Sequence, residues 1–216
     1  TIVDKTAFDG SLDPVVYDRI GEAFGMALAR RKYFGGEALA EAAIYFSHRT
    51  RDWVGREEPG RYFMAFQGAH KALVYAHIPW GILLDENLTL EKLRGFPVVI
   101  LADCGILSDR EIGLFKAYVE EGGNLIVTAR GGCFDRLGRP LENSRLEKLT
   151  GARLAGIPES LDNWARLEKD VPDQLRGSIP VDWNFLVKGP AAQWEAVTAE
   201  AYGTLLLPHR TTRQQE

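Results

Sequence analysis

The chain has 216 residues, enough for one well-packed core, and its composition is ordinary for a globular protein, with 45% hydrophobic and 26% charged residues. Its net charge of −4 disfavours non-specific binding to nucleic acid. The sequence shows no apolar run long enough to cross a bilayer and no signal peptide, so we expect a cytoplasmic protein with neither nucleic-acid nor membrane partners.

The N-terminal segment, residues 1–38, predicts a short strand followed by a helix. Asp13 is a favourable N-cap, and Pro14 suits the first helical position. Apolar residues then recur every four positions from Val16 to Leu28, which gives the helix one apolar stripe. The segment is either a first helix packed on the main domain or the tail of a preceding domain.

Residues 39–216 predict a doubly wound α/β domain with a mostly parallel sheet between two helical layers. Apolar runs without polar alternation are typical of strands buried on both faces. Helix-length amphipathic stretches separate these runs, which is the pattern of a parallel sheet with crossover helices. Strands are predicted near 42–47, 79–84, 97–102 and 124–128, and helices near 61–76, 89–94 and 108–121.

The stretch 96–132 contains a complete strand–helix–strand unit. Ser108 is a good N-cap, and Glu111 three residues later completes a capping box. Gly122-Gly123 ends the helix before the next apolar run. Such a unit predicts a right-handed crossover between parallel strands.

After this unit the alternation of apolar runs and amphipathic stretches becomes less regular. A short helix is predicted near 141–149, and strands near 161–166, 185–188 and 204–207. The region 155–200 carries three tryptophans and several prolines, and we interpret it as irregular covering structure or an inserted loop region.

Polar side chains follow the predicted strands at their carboxyl ends, where ligands bind in doubly wound folds. Arg130 is expected to lie in one crevice with Asp103 and Asp135, because adjacent parallel strands are about 4.8 Å apart. An arginine there would hold two carboxylates ionised, either as a structural ion pair or as part of a ligand site. The candidates for a ligand crevice are Arg49, Asp85, Asp103, Cys104, Arg130 and Asp135.

Motifs for cofactors and metals are absent from the sequence. It contains no GxGxxG, P-loop, HExxH, CxxC or G-x-S-x-G pattern, and its four histidines lack the spacing of metal ligands. No cofactor, no metal and no catalytic residue are therefore expected. We expect Cys104 and Cys133 to be buried thiols, and the alternative is that one of them is a nucleophile.

Exposed aromatic and arginine residues are the types enriched at interface anchors. The loop 47–60 and the region 155–200 supply such residues. The interface candidates are Trp53, Arg56 and Trp164.

The segment 42–135 resembles the class I glutamine amidotransferase-like fold and, more narrowly, the middle or trimerisation domain of family 42 β-galactosidases and related glycoside hydrolases. The residues that carry the resemblance are FPVVILADCGILSDREIGLFKAYVEEGGNLIVTARGG. The resemblance implies that residues 1–38 are the end of a catalytic barrel, whose carboxylates lie upstream. It also implies self-association of the full-length parent as a trimer or dimer.

The chain departs from amidotransferases at the position of their nucleophilic cysteine, which corresponds here to Ala129 in Ala129-Arg130-Gly131. Their later H-x-E motif is also missing, since His209 is followed by Arg210-Thr211. Three functions follow as hypotheses. The first is a non-catalytic oligomerisation domain of a glycoside hydrolase in carbohydrate metabolism, with loops near a neighbouring subunit's active site. The others are a carbohydrate- or metabolite-binding domain and a cysteine-dependent amidase or hydrolase.

Overall fold

The computed structural model describes residues 6, 8–36, 39–57, 59–158, 160, 162–188 and 191–206. The chain divides into two compact units, Thr1–Ala38 and Leu39–Glu216. The first unit contains helix α1, Pro14–Ala29, followed by a 3₁₀ turn at Arg31–Tyr33. Asp13 caps α1 as predicted, because its carboxylate accepts hydrogen bonds from the backbone of the first turn. The strand predicted at residues 1–6 lies almost entirely outside the described residues.

The second unit is built on a four-stranded sheet in which every pair of neighbours is parallel. The strands are β1, Ala42–Phe46; β2, Trp80–Leu84; β3, Val98–Leu101; and β4, Asn124–Val127. Their order is β2-β1-β3-β4, so β1 and β3 are central, and β2 and β4 form the two edges. The prediction of four parallel strands in one sheet is confirmed.

Helices lie on both faces of this sheet and make a three-layer arrangement. They are α2, Pro59–Tyr75; α3, Leu90–Arg94; and α4, Asp109–Glu120. One face buries Tyr45 and Leu101 against Phe115 of α4. The other face buries Ile44 and Ile100 against Leu73 of α2. The doubly wound α/β class predicted from the apolar runs is therefore confirmed.

The capping box predicted for α4 is present. The Ser108 side chain accepts the backbone N–H of Glu111, and the Glu111 carboxylate accepts the backbone N–H of Ser108. At the other end, Gly122 has a φ of 96°, which explains why a glycine ends this helix. The local signals read from the sequence thus fix the ends of the crossover helix.

The C-terminal part of the unit is more regular than its sequence indicates. Its helices are α5, Glu147–Thr150, and α6, Asp173–Arg176; its strands are β5, Ala152–Gly156; β6, Asp162–Leu167; β7, Phe185–Lys188; β8, Gln193–Ala196; and β9, Gly203–Leu206. β5 pairs with β8, and β6 lies between β7 and β9, all antiparallel. Three expected strands coincide with β6, β7 and β9, whereas β5 and β8 were not predicted.

The helix predicted near 141–149 is reduced to the single turn α5, which ends at Gly151 in a left-handed conformation. The stretch before it forms turns whose backbone bonds to the loop after β4, as in the hydrogen bond from Arg145 N–H to Gly132 O. Among the described residues, no helix combines the length and the apolar character that crossing a membrane requires.

Candidate functional site

A cleft of about 260 Å³ lies at the carboxyl ends of the parallel strands. It sits between the loop after β1 and the loop after β3, where the chain switches from one side of β1 to the other. Such switch points are where ligands bind in doubly wound sheets. The cleft is lined by Thr50, Trp53, Val54, Gly55, Arg56, Glu57, Arg61, Tyr62, Asp103 and Arg130.

Asp103 and Arg130 form a buried ion pair in the floor of the cleft. Asp103 Oδ1 accepts hydrogen bonds from the backbone N–H and from Nε of Arg130, both at 3.0 Å, and Oδ2 accepts from Nη2. The side chains are only 6% and 13% exposed, and the guanidinium lies over the Phe134 ring. The pair therefore holds the ends of β3 and β4 together.

The turn after β4, residues 129–131, is a tight elbow that has an alanine and no nucleophilic side chain at its first position. Ala129 has a φ of 47°, a left-handed conformation that is uncommon for alanine. The adjacent N–H of Arg130, which could otherwise serve as an oxyanion donor, already donates to Asp103. Trp194 Nε1 donates to Ala129 O at 3.2 Å and fixes the elbow from the β8 side. No side chain at this position can form a covalent intermediate.

Asp135 does not join this ion pair. Its Oδ1 accepts the backbone N–H groups of Leu137 and Arg139 at 2.8 and 2.9 Å. Hydrogen bonds from Arg139 and Leu137 hold the pKa of Asp135 below its usual value. The carboxylate thus stabilises the turn 135–139, whose Gly138 lies against the Trp53 backbone.

Arg49 and Asp85 belong to two other contacts at the same edge of the sheet. Asp85 Oδ1 lies 2.6 Å from His48 Nδ1, and Oδ2 accepts the backbone N–H of His48 at 2.9 Å. This pair joins the ends of β1 and β2. Arg49 Nη2 donates to Glu111 Oε1 at 2.7 Å. Neither Arg49 nor Asp85 lines the cleft.

Glu111 is the centre of a buried polar network that the sequence reasoning missed. Its carboxylate accepts hydrogen bonds from Tyr45 Oη at 2.6 Å, from Arg49 and from Ser108. The carboxylate is 1% exposed. The capping box identified Glu111 as a helix cap, but nothing in the sequence indicated that Tyr45 and Arg49 reach the same group. The network connects the β1 end to the start of α4.

Both cysteines are free and completely buried, as the composition predicted. Desolvation raises the pKa of Cys104 far above its usual value and raises that of Cys133 from 9.0 to about 11. The thiolate is therefore disfavoured at neutral pH, and only a thiolate is an effective nucleophile. This environment argues against the cysteine-dependent amidase. Within the parts of the chain that the structure describes, no group of three His, Cys, Asp or Glu residues could hold a metal ion.

We predict that the Cys133 thiol makes the domain less stable in alkali. A raised pKa means that the folded state holds the proton more tightly, so this contribution is complete below pH 9 and is lost as the pH rises to about 11. The loss should be about 2–3 kcal/mol. Urea unfolding from pH 8 to pH 11 measures it, and Cys133→Ala should show a smaller decline. Equal declines in the two proteins would contradict this account.

The interface candidates lie in two different places. Trp53 and Arg56 line the cleft. Trp164 lies on β6, at the centre of the antiparallel sheet β7-β6-β9, and its side chain remains 40% exposed.

Comparisons with known proteins give matches among solved structures only. No family model matches the chain, and no curated protein matches its sequence. The family 42 β-galactosidase Gan42B from G. stearothermophilus matches with a TM-score of 0.72 and 17% identity, over 93% of this chain and 28% of its own. A cold-adapted β-galactosidase from Rahnella sp. R3 has a TM-score of 0.74 and 15% identity, over 93% and 30%.

An α-L-fucosidase isoenzyme 2 from Paenibacillus thiaminolyticus also matches, with a TM-score of 0.72 and 18% identity, over 99% of this chain and 30% of its own. Because the sequence identities are only 15–18%, these matches show a similarity of fold and nothing more. The chain spans less than a third of the length of these three proteins. It thus has the fold of a part of family 42 β-galactosidases, in agreement with the resemblance read from residues 96–132.

Proposed function

We propose that this chain is a non-catalytic association domain of a glycoside hydrolase of the β-galactosidase type. The observation that carries the proposal is the turn after β4, which has no nucleophile and whose backbone donor is already bonded. The nucleophile position is Ala129, and the neighbouring N–H of Arg130 and its guanidinium are both bound to Asp103. A nucleophile, a base and oxyanion donors are all needed for acyl transfer, and here the adjacent backbone donor is engaged and the nucleophile is missing.

An exposed apolar row on the antiparallel sheet supports association. Trp164 pairs with Leu186 on one side and with Leu206 on the other, so these three side chains form a row across β7, β6 and β9. Trp164 and Leu186 are 40% and 43% exposed. Tryptophan is one of the residues most enriched among the energetic anchors of protein interfaces, and the neighbouring leucines extend the apolar surface around it.

The charges on this face favour a second copy of the chain as the partner. Asp162 and Arg166 lie two residues before and after Trp164, on the same face of β6. If two copies face each other with their β6 strands antiparallel, Asp162 of each copy lies opposite Arg166 of the other. The surface is therefore self-complementary about a two-fold axis.

We predict that Trp164→Ala weakens self-association about thirtyfold or more, as expected for a tryptophan anchor worth about 2 kcal/mol. Light scattering and sedimentation equilibrium on the protein give the dissociation constant. Trp183→Ala is the matched control, because Trp183 is 63% exposed and lies outside the row. A protein that stays monomeric at all concentrations, or a control that weakens association equally, would refute the proposal.

Charge exchange tests the geometry of the contact. Asp162→Arg alone should weaken association, because it faces Arg166 of the other copy. Combining Asp162→Arg with Arg166→Asp restores two attractive pairs in the antiparallel arrangement and should recover most of the affinity. If the double variant is no tighter than Asp162→Arg, the proposed arrangement is wrong.

A further inference from the structure

We propose that the cleft at the β1–β3 switch point binds a single sugar ring that carries a carboxylate, of the hexuronate class. The inference concerns a different surface from the Trp164 row and does not depend on the association role. It rests on one immobilised guanidinium, one exposed guanidinium and one tryptophan, all of which line the same cleft.

Arg130 is the immobilised group. Nε and Nη2 of Arg130 donate hydrogen bonds to the Asp103 carboxylate, and the Phe134 ring lies against the guanidinium. Nη1 has no hydrogen-bond partner in the described part of the chain, and the arginine lines the cleft. Its side chain is 13% exposed, so the remaining donor is held in one orientation before any ligand arrives. A preorganised donor of this kind loses little entropy on binding.

The rest of the floor is polar but already satisfied. Tyr62 Oη accepts the backbone N–H of Ser47 at 2.7 Å, and Thr50 Oγ1 accepts the backbone N–H of Ile106 at 3.1 Å. These hydroxyl groups line the cleft, and each already has a hydrogen-bond partner within the protein. The donor that a ligand would meet in the floor is therefore the free end of Arg130.

The rim adds charge and an aromatic surface. Arg56 is exposed and forms no ion pair within the described residues, so its guanidinium is available to an anion. The Trp53 side chain is 44% exposed. A carboxylate is the natural partner of guanidinium donors, and an aromatic face accommodates the apolar face of a sugar ring.

The size of the cleft limits the ligand to one ring. Its volume of about 260 Å³ falls just below the range of about 300–1,000 Å³ that holds drug-sized ligands. Asp103 is neutralised by Arg130, and the donors that this lining offers to a ligand include Nη1 of Arg130 and the exposed guanidinium of Arg56. Guanidinium donors favour an acidic ligand over a neutral one.

Calorimetric titration of the protein with D-galacturonate and D-glucuronate tests the proposal. We expect saturable binding with a dissociation constant of about 1 mM for at least one of them. D-galactose should bind at least tenfold more weakly, because it lacks the charge. Inorganic phosphate should also bind at least tenfold more weakly, because it offers no ring to Trp53. If galactose binds as tightly as the hexuronates, the arginines do not have the proposed role. If phosphate binds as tightly as the hexuronates, the cleft is an unspecific anion site and the proposal is wrong.

Variants locate the ligand. Arg56→Ala and Trp53→Ala should each weaken hexuronate binding about five- to tenfold, since each removes one exposed contact without disturbing the buried floor. Arg136→Ala is the control, because Arg136 is an exposed arginine outside the cleft lining and should leave binding unchanged. Loss of binding in Arg136→Ala equal to that in Arg56→Ala would show general charge attraction and overturn the assignment. The absence of any saturable hexuronate binding would also overturn it.

Discussion

Replacing Arg130 with methionine is expected to lower the free energy of unfolding by about 3–5 kcal/mol, the usual result of removing one partner from a buried ion pair. The variant leaves the Asp103 carboxylate, which is 6% exposed, with only the backbone N–H of residue 130 as a partner at this turn. Methionine keeps much of the side-chain volume, so the loss reports the charge rather than a cavity. Urea unfolding at neutral pH measures it.

A double-mutant cycle separates the pair from the rest of the turn. Asp103→Asn is the suitable partner variant, because Asp103 has a φ of 51° and asparagine tolerates this conformation. The double variant should be more stable than the sum of the two single effects predicts, since no isolated charge is then buried. Additive effects would mean that Asp103 and Arg130 do not stabilise each other.

Replacing Glu111 with alanine is expected to cost about 3 kcal/mol. The change leaves Tyr45 Oη, on a side chain that is completely buried, without its partner, which costs about 1–3 kcal/mol. It also removes the carboxylate half of the α4 capping box, whose loss costs about 1 kcal/mol. Arg49 adds less, because its side chain is 43% exposed and can turn to water.

The matched control is Glu120→Ala in the same helix. Glu120 makes an exposed contact with Lys116 and should cost no more than about 0.5 kcal/mol. Adding Tyr45→Phe to Glu111→Ala should recover part of the loss, because it removes the stranded hydroxyl. If Glu111→Ala unfolds at the same denaturant concentration as Glu120→Ala, the buried network does not stabilise the domain.

The parts of this structure that the sequence predicts well are those fixed by local chemistry. The four parallel strands follow from apolar runs that cannot be solvated, and α4 follows from Ser108, Glu111 and Gly122. These signals act within a few residues, so they can be read without knowing which strands are neighbours. The resemblance to part of a β-galactosidase depends on the same segment.

The parts that the sequence does not predict depend on pairing at long range. Tyr45 and Glu111 are 66 positions apart, and their hydrogen bond exists only because β1 lies beside β3. β5 and β8 have only five and four residues and are separated in the chain by β6 and β7, so their pairing depends on contacts at long range and not on a long local pattern. The sequence predicts only part of the cleft. It indicates Asp103 and Arg130, which follow predicted strands, but it does not indicate Arg61 and Tyr62, since they reach the cleft only through the placement of α2.

The strand order has a consequence for synthesis and folding. β1 occupies a central place in the sheet, yet both of its neighbours, β2 and β3, follow it in the chain. The ribosome adds about 5–20 residues per second, so the apolar segment Ala42–Phe46 waits several seconds for the residues that will cover it. Parallel pairing also closes long loops, which makes such sheets slow to form. The most deeply buried strand of the domain is thus the one that spends longest unpaired, and during this interval the nascent chain is most exposed to aggregation and most in need of a chaperone.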